Sequence, residues 1–280
     1  MKELTLTPIK KPDIPVEAEV ISPDKVAGKN LDQVKKLPVY VGNTRLSLGD
    51  YVKVEGETAE KASEQAIIVA GDAGKVKYIG TGMTGGRVLV EGCSGMHVGA
   101  QMEGGELIVT GSASDWAGAE MKGGLLRIHG DAGSQLGAAY RGSPEGMTGG
   151  CIVIGGSAGP EAGSFMRRGM IVVKGDVGPF AGVHMNGGEI FVFGRAARRM
   201  GAEAKGNGGF IACMGEIEAL LPTYVHDTTY TPSFMRLYMR RLRDQLGLEE
   251  AGEFIDAPFR RYRGDTAVGG NAEILVAEKQ

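Results

Sequence analysis

Across the middle of the chain, apolar and polar residues alternate in short bursts rather than in helical stripes. Six runs show this: Arg87-Val-Leu-Val-Glu91, Glu106-Leu-Ile-Val-Thr110, Leu125-Leu-Arg-Ile-His129, Cys151-Ile-Val-Ile-Gly155, Met170-Ile-Val-Val-Lys174 and Glu189-Ile-Phe-Val-Phe193. They are too short for helices and rich in β-branched residues, which predicts strands. In every run the second and fourth positions are Val, Leu or Ile: Val88/Val90, Leu107/Val109, Leu126/Ile128, Ile152/Ile154, Ile171/Val173 and Ile190/Val192. Side chains alternate across a strand, so each pair shares one face. That face is expected to point inward and stack on the equivalent pairs above and below.

The runs sit on a ruler. Each follows a corner: Met-x-Gly-Gly beginning at Met83, Met102, Met121, Met147 and Met185, and Met-Arg-Arg-Gly beginning at Met166. The steps are 19, 19, 26, 19 and 19 residues. A second set of glycines, seven apart, follows the runs at Gly92/Gly99, Gly111/Gly118, Gly130/Gly137, Gly156/Gly163, Gly175/Gly182 and Gly194/Gly201. Three of these stretches carry the fuller pattern Gly-x-x-Gly-x-x-x-Gly, starting at Gly92, Gly130 and Gly175. A fixed period near 20 residues marks a solenoid. Nineteen extended residues give a perimeter of about 60 Å, which suits a parallel β-helix whose corners are made by glycine. The 47 glycines argue against an α-solenoid. The fold class predicted is all-β: a right-handed parallel β-helix of about seven to eight coils. An N-terminal arm and a C-terminal helical tail complete it.

Three segments follow from the ruler: an arm with cap strands over 1–60, the repeats over 61–216, and a tail over 217–280. Pro8, Pro12, Pro15, Pro23 and Pro38 make the arm extended, with one short helix near Asn30–Lys36. Residues 45–55 alternate and are expected to form capping strands. Ile67 to Gly74 reads as a first, imperfect coil, and Gly208 to Met214 as a last one. In the tail, Thr231 to Gly247 has an N-cap, a first-turn proline and a closing glycine. Met235, Tyr238, Met239, Leu242 and Leu246 share one face of that helix.

Composition narrows the function classes. No apolar stretch reaches the roughly 18 residues of a membrane span, and the residues after Met1 lack an apolar signal core. Cys93, Cys151 and Cys213 have neither disulfide nor zinc spacing, so a reducing cytoplasm is expected. A net charge of −3 without a basic-aromatic motif excludes nucleic acid as the expected partner. His97, His129 and His184 occupy different columns of the repeat and do not converge as metal ligands. Asp72, Asp131 and Asp176 follow corner glycines, but the calcium-binding nonapeptide is missing, so bonding to the turn backbone is expected. No nucleophile–base pair is legible, and no catalytic residue is assigned.

The Gly-x-x-Gly-x-x-x-Gly strings, the Met-x-Gly-Gly ladder and the insert Tyr140-Arg-Gly-Ser-Pro-Glu-Gly146 resemble the C subunit of formylmethanofuran dehydrogenase. Leu6-Thr-Pro8 and Ala27-Gly-Lys29 extend that resemblance to nearly the whole chain. The glycine pattern alone is also similar to the C-terminal domain of glutamate synthase large subunits. The resemblance implies a non-catalytic scaffold subunit in a one-carbon enzyme complex with A-, B- and D-type partner subunits. One branch of the family belongs to a molybdenum or tungsten enzyme that reduces CO2 onto methanofuran. The other belongs to a bacterial formyltransferase/hydrolase complex, which releases formate from a formylated methanofuran-like (methylofuran-type) cofactor. The tail helix Phe234–Leu246 resembles the bacterial branch. In both, the metals (zinc, or molybdenum or tungsten) and the furan cofactor are implied for partner subunits.

Three features depart from pure stacking. The insertion explains the step of 26; Tyr140 and Arg141 either contact a partner or an anionic cofactor tail, or form an inert turn. Arg167, Arg168, Arg195, Arg198 and Arg199 lie on adjacent coils and either meet a polyglutamyl cofactor tail or acidic subunit surface, or stand solvated. Arg168 also replaces a corner glycine. Finally, the middle strand positions Leu89, Ile108, Arg127, Val153, Val172 and Phe191 face outward, and all but Arg127 are apolar. Such a strip implies a cover, either the chain's own C-terminal helix or another subunit.

Overall fold

The computed structural model describes residues 1–9 and 12–278. The first part holds β1 (Lys2–Pro8), β2 (Val16–Glu17), α1 (Pro23–Val26), α2 (Leu31–Lys35), β3 (Pro38–Val41), β4 (Thr44–Ser47) and β5 (Val52–Gly56). The repeats supply β6 (Gln65–Val69), β7 (Val76–Lys77), β8 (Arg87–Val90), β9 (Glu106–Val109), β10 (Leu125–Ile128), β11 (Thr148–Ile154), β12 (Arg168–Val173), β13 (Glu189–Val192) and β14 (Phe210–Cys213). The last part holds β15 (Val225–Tyr230), α3 (Met235–Leu246), β16 (Phe259–Gly264) and β17 (Ala272–Ala277). The fold is mostly β.

Among the described residues thirteen strands form one open sheet in the order β15-β16-β17-β14-β13-β12-β11-β10-β9-β8-β6-β1-β5. From β6 to β14 neighbours run parallel, each strand pairing with its counterpart one repeat away, as in Val88↔Leu107 and Leu126↔Ile152. All twelve inward residues of the six runs are fully buried, at 0% exposure. A second parallel column of single bridges joins Ala73, Ser94, Ala113, Ala132, Ala158, Val177, Ala196 and Ile217. Each repeat thus contributes one strand and one bridge to two stacked columns. The corner methionines Met83, Met102, Met121, Met147, Met166 and Met185 fill the space between them, none more than 3% exposed.

The glycine corners have two physical reasons. Gly118 has φ +62°, and a Cβ on it would meet Ile152 Cδ1 at 2.5 Å. Gly123 has no such φ, but a Cβ there would lie 2.2 Å from the carbonyl oxygen of Glu103. Arg168 occupies the Gly123 position two repeats later. It fits because the ladder is irregular there: Thr148 pairs with Arg168 but Cys151 pairs with Met170.

The aspartates bond to backbone as expected, but only one of the three does so within its own turn. Asp72 does cap its own turn, accepting from the Gly74 N–H at 3.1 Å. Asp131 and Asp176 instead accept from the next repeat, from the Ser157 and Arg195 N–H groups, both at 2.7 Å. Ser112 and Ser157 hydroxyls fill the alternate rungs, accepting from Asp131 N–H and Asp176 N–H at 3.0 Å. This side-chain ladder stitches successive repeats together.

Both ends are built more richly than the pattern suggested. The chain does not begin with a free arm: β1 lies in the large sheet, parallel to β6 and antiparallel to β5. A smaller sheet, β4-β3-β2-β7, packs nearby, and the expected helix is α2, closed by a reciprocal capping box between Asn30 and Gln33. At the far end the expected helical tail is only partly helical. Strand β17 pairs in parallel with β14 and continues the sheet, with β16 and β15 added antiparallel. Helix α3 starts at Met235, not at a Thr231 cap, and ends at Gly247 with φ +72°.

Candidate functional site

The insertion leaves the regular path after Ala138 and rejoins it at Met147, whose N–H donates to the Gly137 carbonyl at 2.9 Å. Met147 is fully buried, so the stack is unbroken beneath the loop. The loop is anchored rather than loose. Ala139 N–H donates to the Ser164 carbonyl at 3.2 Å and Gly146 N–H to the Phe165 carbonyl at 2.9 Å. The Arg167 guanidinium donates to the Pro144 carbonyl at 2.6 Å. Tyr140 N–H donates to a carboxylate oxygen of Glu120 at 3.2 Å.

Tyr140 turns back onto the repeats. Its hydroxyl lies 3.0 Å from His97 Nδ1, and the two rings are 5.5 Å apart. His97 is itself sandwiched: Tyr78 stacks on it at 4.5 Å and Trp116 at 5.5 Å. Burial holds the His97 imidazole below its usual range, helped by Lys77 and opposed by Asp115. Burial also raises the Tyr140 phenol, reinforced by Tyr78 and by the Glu120 and Glu19 carboxylates. Tyr140 is therefore a neutral hydrogen-bonding group.

These side chains belong to a column that residue types alone do not reveal. Tyr78, His97, Trp116, Gln135, Glu161, Phe180 and Arg199 all have positive φ, between 57° and 66°. Each stands two residues before a corner glycine of the Gly99 type, and that spacing is the signal available in the sequence. A second such column, two residues after the glycine, contains Gln101, Glu120, Phe165, His184 and Glu203, with φ between 53° and 58°. Neighbours pair along both columns: Gln101 with Glu120 and Gln135 with Glu161 at 2.9 Å, and Phe165 stacked on His184 at 4.5 Å. A groove of about 470 Å³ runs beside the insertion, bordered by Gln135, Tyr140, Arg141, Pro144, Glu161 and Phe165. It can stack and hydrogen-bond a ligand or peptide. Arg141 is exposed at its edge, with no ion pair among the described residues.

The five other arginines are not gathered into one site. Arg167 binds the insertion, Arg168 opens β12, Arg195 pairs with Glu218 at 3.7 Å, and Arg199 lies over the Phe180 ring at 5.3 Å. With Arg198, they occupy five different positions of the repeat, and the strand of each repeat separates the first two from the last three.

The outward strip is divided. Val153, Val172 and Phe191 are at most 2% exposed and share a core cluster with Met235, Met239 and Leu242 of α3. Leu89 and Ile108 lie beyond the reach of α3 and remain partly exposed. At the covered end, Tyr238 donates to Glu189 at 3.0 Å; burial raises the Glu189 carboxyl, opposed by that bond and by Arg241. Among the described residues no three His, Cys, Asp or Glu side chains converge as metal ligands. Among the described residues no helix is long and apolar enough to cross a membrane.

No family model matches the chain. Over 98 residues it is 44% identical to the C subunit of the tungsten-containing formylmethanofuran dehydrogenase 2 of Methanothermobacter marburgensis. Over 98 residues it is 42% identical to the C subunit of the molybdenum-containing formylmethanofuran dehydrogenase 1 of Methanosarcina barkeri. These matches cover 35% of the chain and 36% and 33% of the relatives, so the chain spans about a third of the length of the curated relatives it matches. A chain in the crystal structure of the formyltransferase/hydrolase complex (FhcABCD) from Methylorubrum extorquens, determined with methylofuran, is similar throughout. The TM-score is 0.88 at 30% identity, covering 98% of this chain and 100% of that one. With 44% and 42% identity to formylmethanofuran dehydrogenase C subunits over 98 residues, and a counterpart in the formyltransferase/hydrolase complex at 30% identity over its full length, the chain belongs to the family that those C subunits share with that counterpart.

Proposed function

We propose that this chain is the structural subunit of a formyltransferase/hydrolase-type complex that releases formate from a formylated methanofuran-like cofactor. The observation that carries the reading is the extent of the likeness. The chain from the formyltransferase/hydrolase complex parallels this one over 98% of its length at a TM-score of 0.88, a span that takes in the α3 tail. In this reading the repeats form a right-handed parallel β-helix, the hand following from the preference for right-handed crossovers between parallel strands. The partners are A-, B- and D-type subunits, which hold the furan cofactor and the metals. The groove beside Tyr140 and Arg141 then faces a partner or a polyglutamyl cofactor tail, and the cytoplasm is the compartment.

The test separates scaffold from enzyme. The isolated chain, assayed for formate release from a formylated furan-type cofactor, is expected to be inactive, and activity is expected only with the partner subunits. Turnover by the isolated chain would overturn the scaffold reading. The second reading, a dehydrogenase subunit, rests on the 44% local identity. A molybdenum or tungsten pterin cofactor in the purified complex would select it.

A further inference from the structure

The outer face of the large sheet carries one continuous row of middle positions: Ile68, Leu89, Ile108, Arg127, Val153, Val172 and Phe191, each paired in register with the next. Helix α3 covers one half of that row and crosses the strands to do it. Its start lies over β14 and β13, where Phe234 is 5.5 Å from Phe210 and Tyr238 is 5.3 Å from Phe191. Its end reaches β11 and β10, where Gly247 and Leu248 border a groove with Arg127 and Val153. A helix crossing strands in this way has a natural register. One turn rises about 5.4 Å and strands lie about 4.8 Å apart, so apolar residues at i, i+3 or i+4, and i+7 fall on successive strands.

Beyond Gly247 the row continues uncovered. Ile68, Leu89 and Ile108 are partly exposed on three adjacent parallel strands. Leu89 and Ile108 are flanked by charge, with Arg87 paired to Glu106 at 3.1 Å, unlike the apolar flanks Cys151 and Met170 under α3. Arg127, partly buried where the cover ends, has no carboxylate within ion-pair distance among the described residues. From Arg127 to Ile68 the row spans about 14 Å, the length of a helix of about ten residues.

The geometry points to a helix from a different subunit, docked end to end with α3 along this row. It presents apolar residues at i, i+3 or i+4, and i+7 over Ile108, Leu89 and Ile68. It places a carboxylate beside Arg127. A second copy of this chain does not supply such a helix: the apolar face of its α3 is already buried, with Met235, Met239 and Leu242 at 1% exposure or less. Its α1 and α2 are four and five residues long. The inference rests on the subunit reading above and adds where and how a partner binds.

The test uses the tagged full-length chain expressed in its native host, with a photo-crosslinking residue at Leu89 or Ile108 and, as control, at Leu237, which is 72% exposed on α3. Probes at 89 and 108 are expected to label one other polypeptide at positions three to four residues apart, and the Leu237 probe to miss that segment. Leu89→Arg combined with Ile108→Arg is expected to lower recovery of that polypeptide about tenfold or more, with the melting temperature of the isolated chain unchanged. Crosslinks only to another copy of this chain, or none while other subunits still co-purify, would overturn the docking inference and leave the subunit reading standing. Failure of any subunit to co-purify would overturn both.

Discussion

Substitution of Gly123 by alanine probes the closeness of the repeats directly. The new Cβ would sit 2.2 Å from the Glu103 carbonyl oxygen and 3.0 Å from its carbon. Carbon–oxygen contacts between strands settle near 3.3 Å or more, so the layer must open by about 1 Å. Three hydrogen bonds cross that opening: Lys122 N–H and Gly123 N–H to the Met102 carbonyl at 2.7 and 3.0 Å, and Leu125 N–H to the Gly105 carbonyl at 2.9 Å. Such bonds weaken steeply when stretched by that much. Losing all three at about 1 kcal/mol each gives about 3 kcal/mol. In a chain of this size each kcal/mol lowers the melting temperature by about 2–4 °C, so a drop of roughly 6–12 °C is expected. Gly82→Ala is the comparison. Gly82 has φ +63° and nothing within 4 Å of its Cβ position, so only the left-handed backbone is penalised, at about 1–2 kcal/mol. Differential scanning calorimetry of the full chain reads both. A Gly123→Ala protein that melts with the wild type, or above Gly82→Ala, would mean that the layers are not held this closely.

Three further outcomes are expected. His97 has a depressed pKa in the folded chain, so the unfolded state binds the extra proton as pH falls below about 6.5. Stability should therefore decline from pH 7 toward 5.5, and His97→Phe, which keeps a ring at the position where Phe180 already has φ 65°, should flatten that decline in pH-dependent melts. Tyr140→Phe should cost about 1 kcal/mol for the lost bond to His97, and Tyr140→Ala should speed cleavage within 140–146 in limited proteolysis while leaving far-ultraviolet dichroism unchanged. Cys93 is exposed, whereas burial pushes the Cys151 and Cys213 thiols up to about 11. A thiol reagent should titrate one cysteine in the native chain and three in denaturant.

The repeat strands were legible because two constraints coincide in them: alternation fixes the face, and the 19-residue step fixes the partner. Val88, Leu107 and Leu126 therefore fall into register without tertiary information. Strand β17 was not legible, because it returns to the sheet after a helix and an antiparallel pair, and no ruler connects Ile274 to Ile211. The α3 helix was visible by periodicity, but its reach over the outer strip was not. Only the structure separates the covered Val153 from the open Ile108. The insertion stood out by length. Its anchoring on His97 did not, since the left-handed column holds seven different residue types and spacing from a corner glycine is its sole common feature. The five arginines were adjacent in number of repeats but occupy five positions within the repeat, and linear proximity does not report that.

Native mass spectrometry of the affinity-tagged chain, isolated from its own cells, decides whether the chain exists to hold other subunits together. A particle containing this chain with several different polypeptides in fixed stoichiometry is expected. A stable free monomer, or an assembly of this chain alone, would show that it does not.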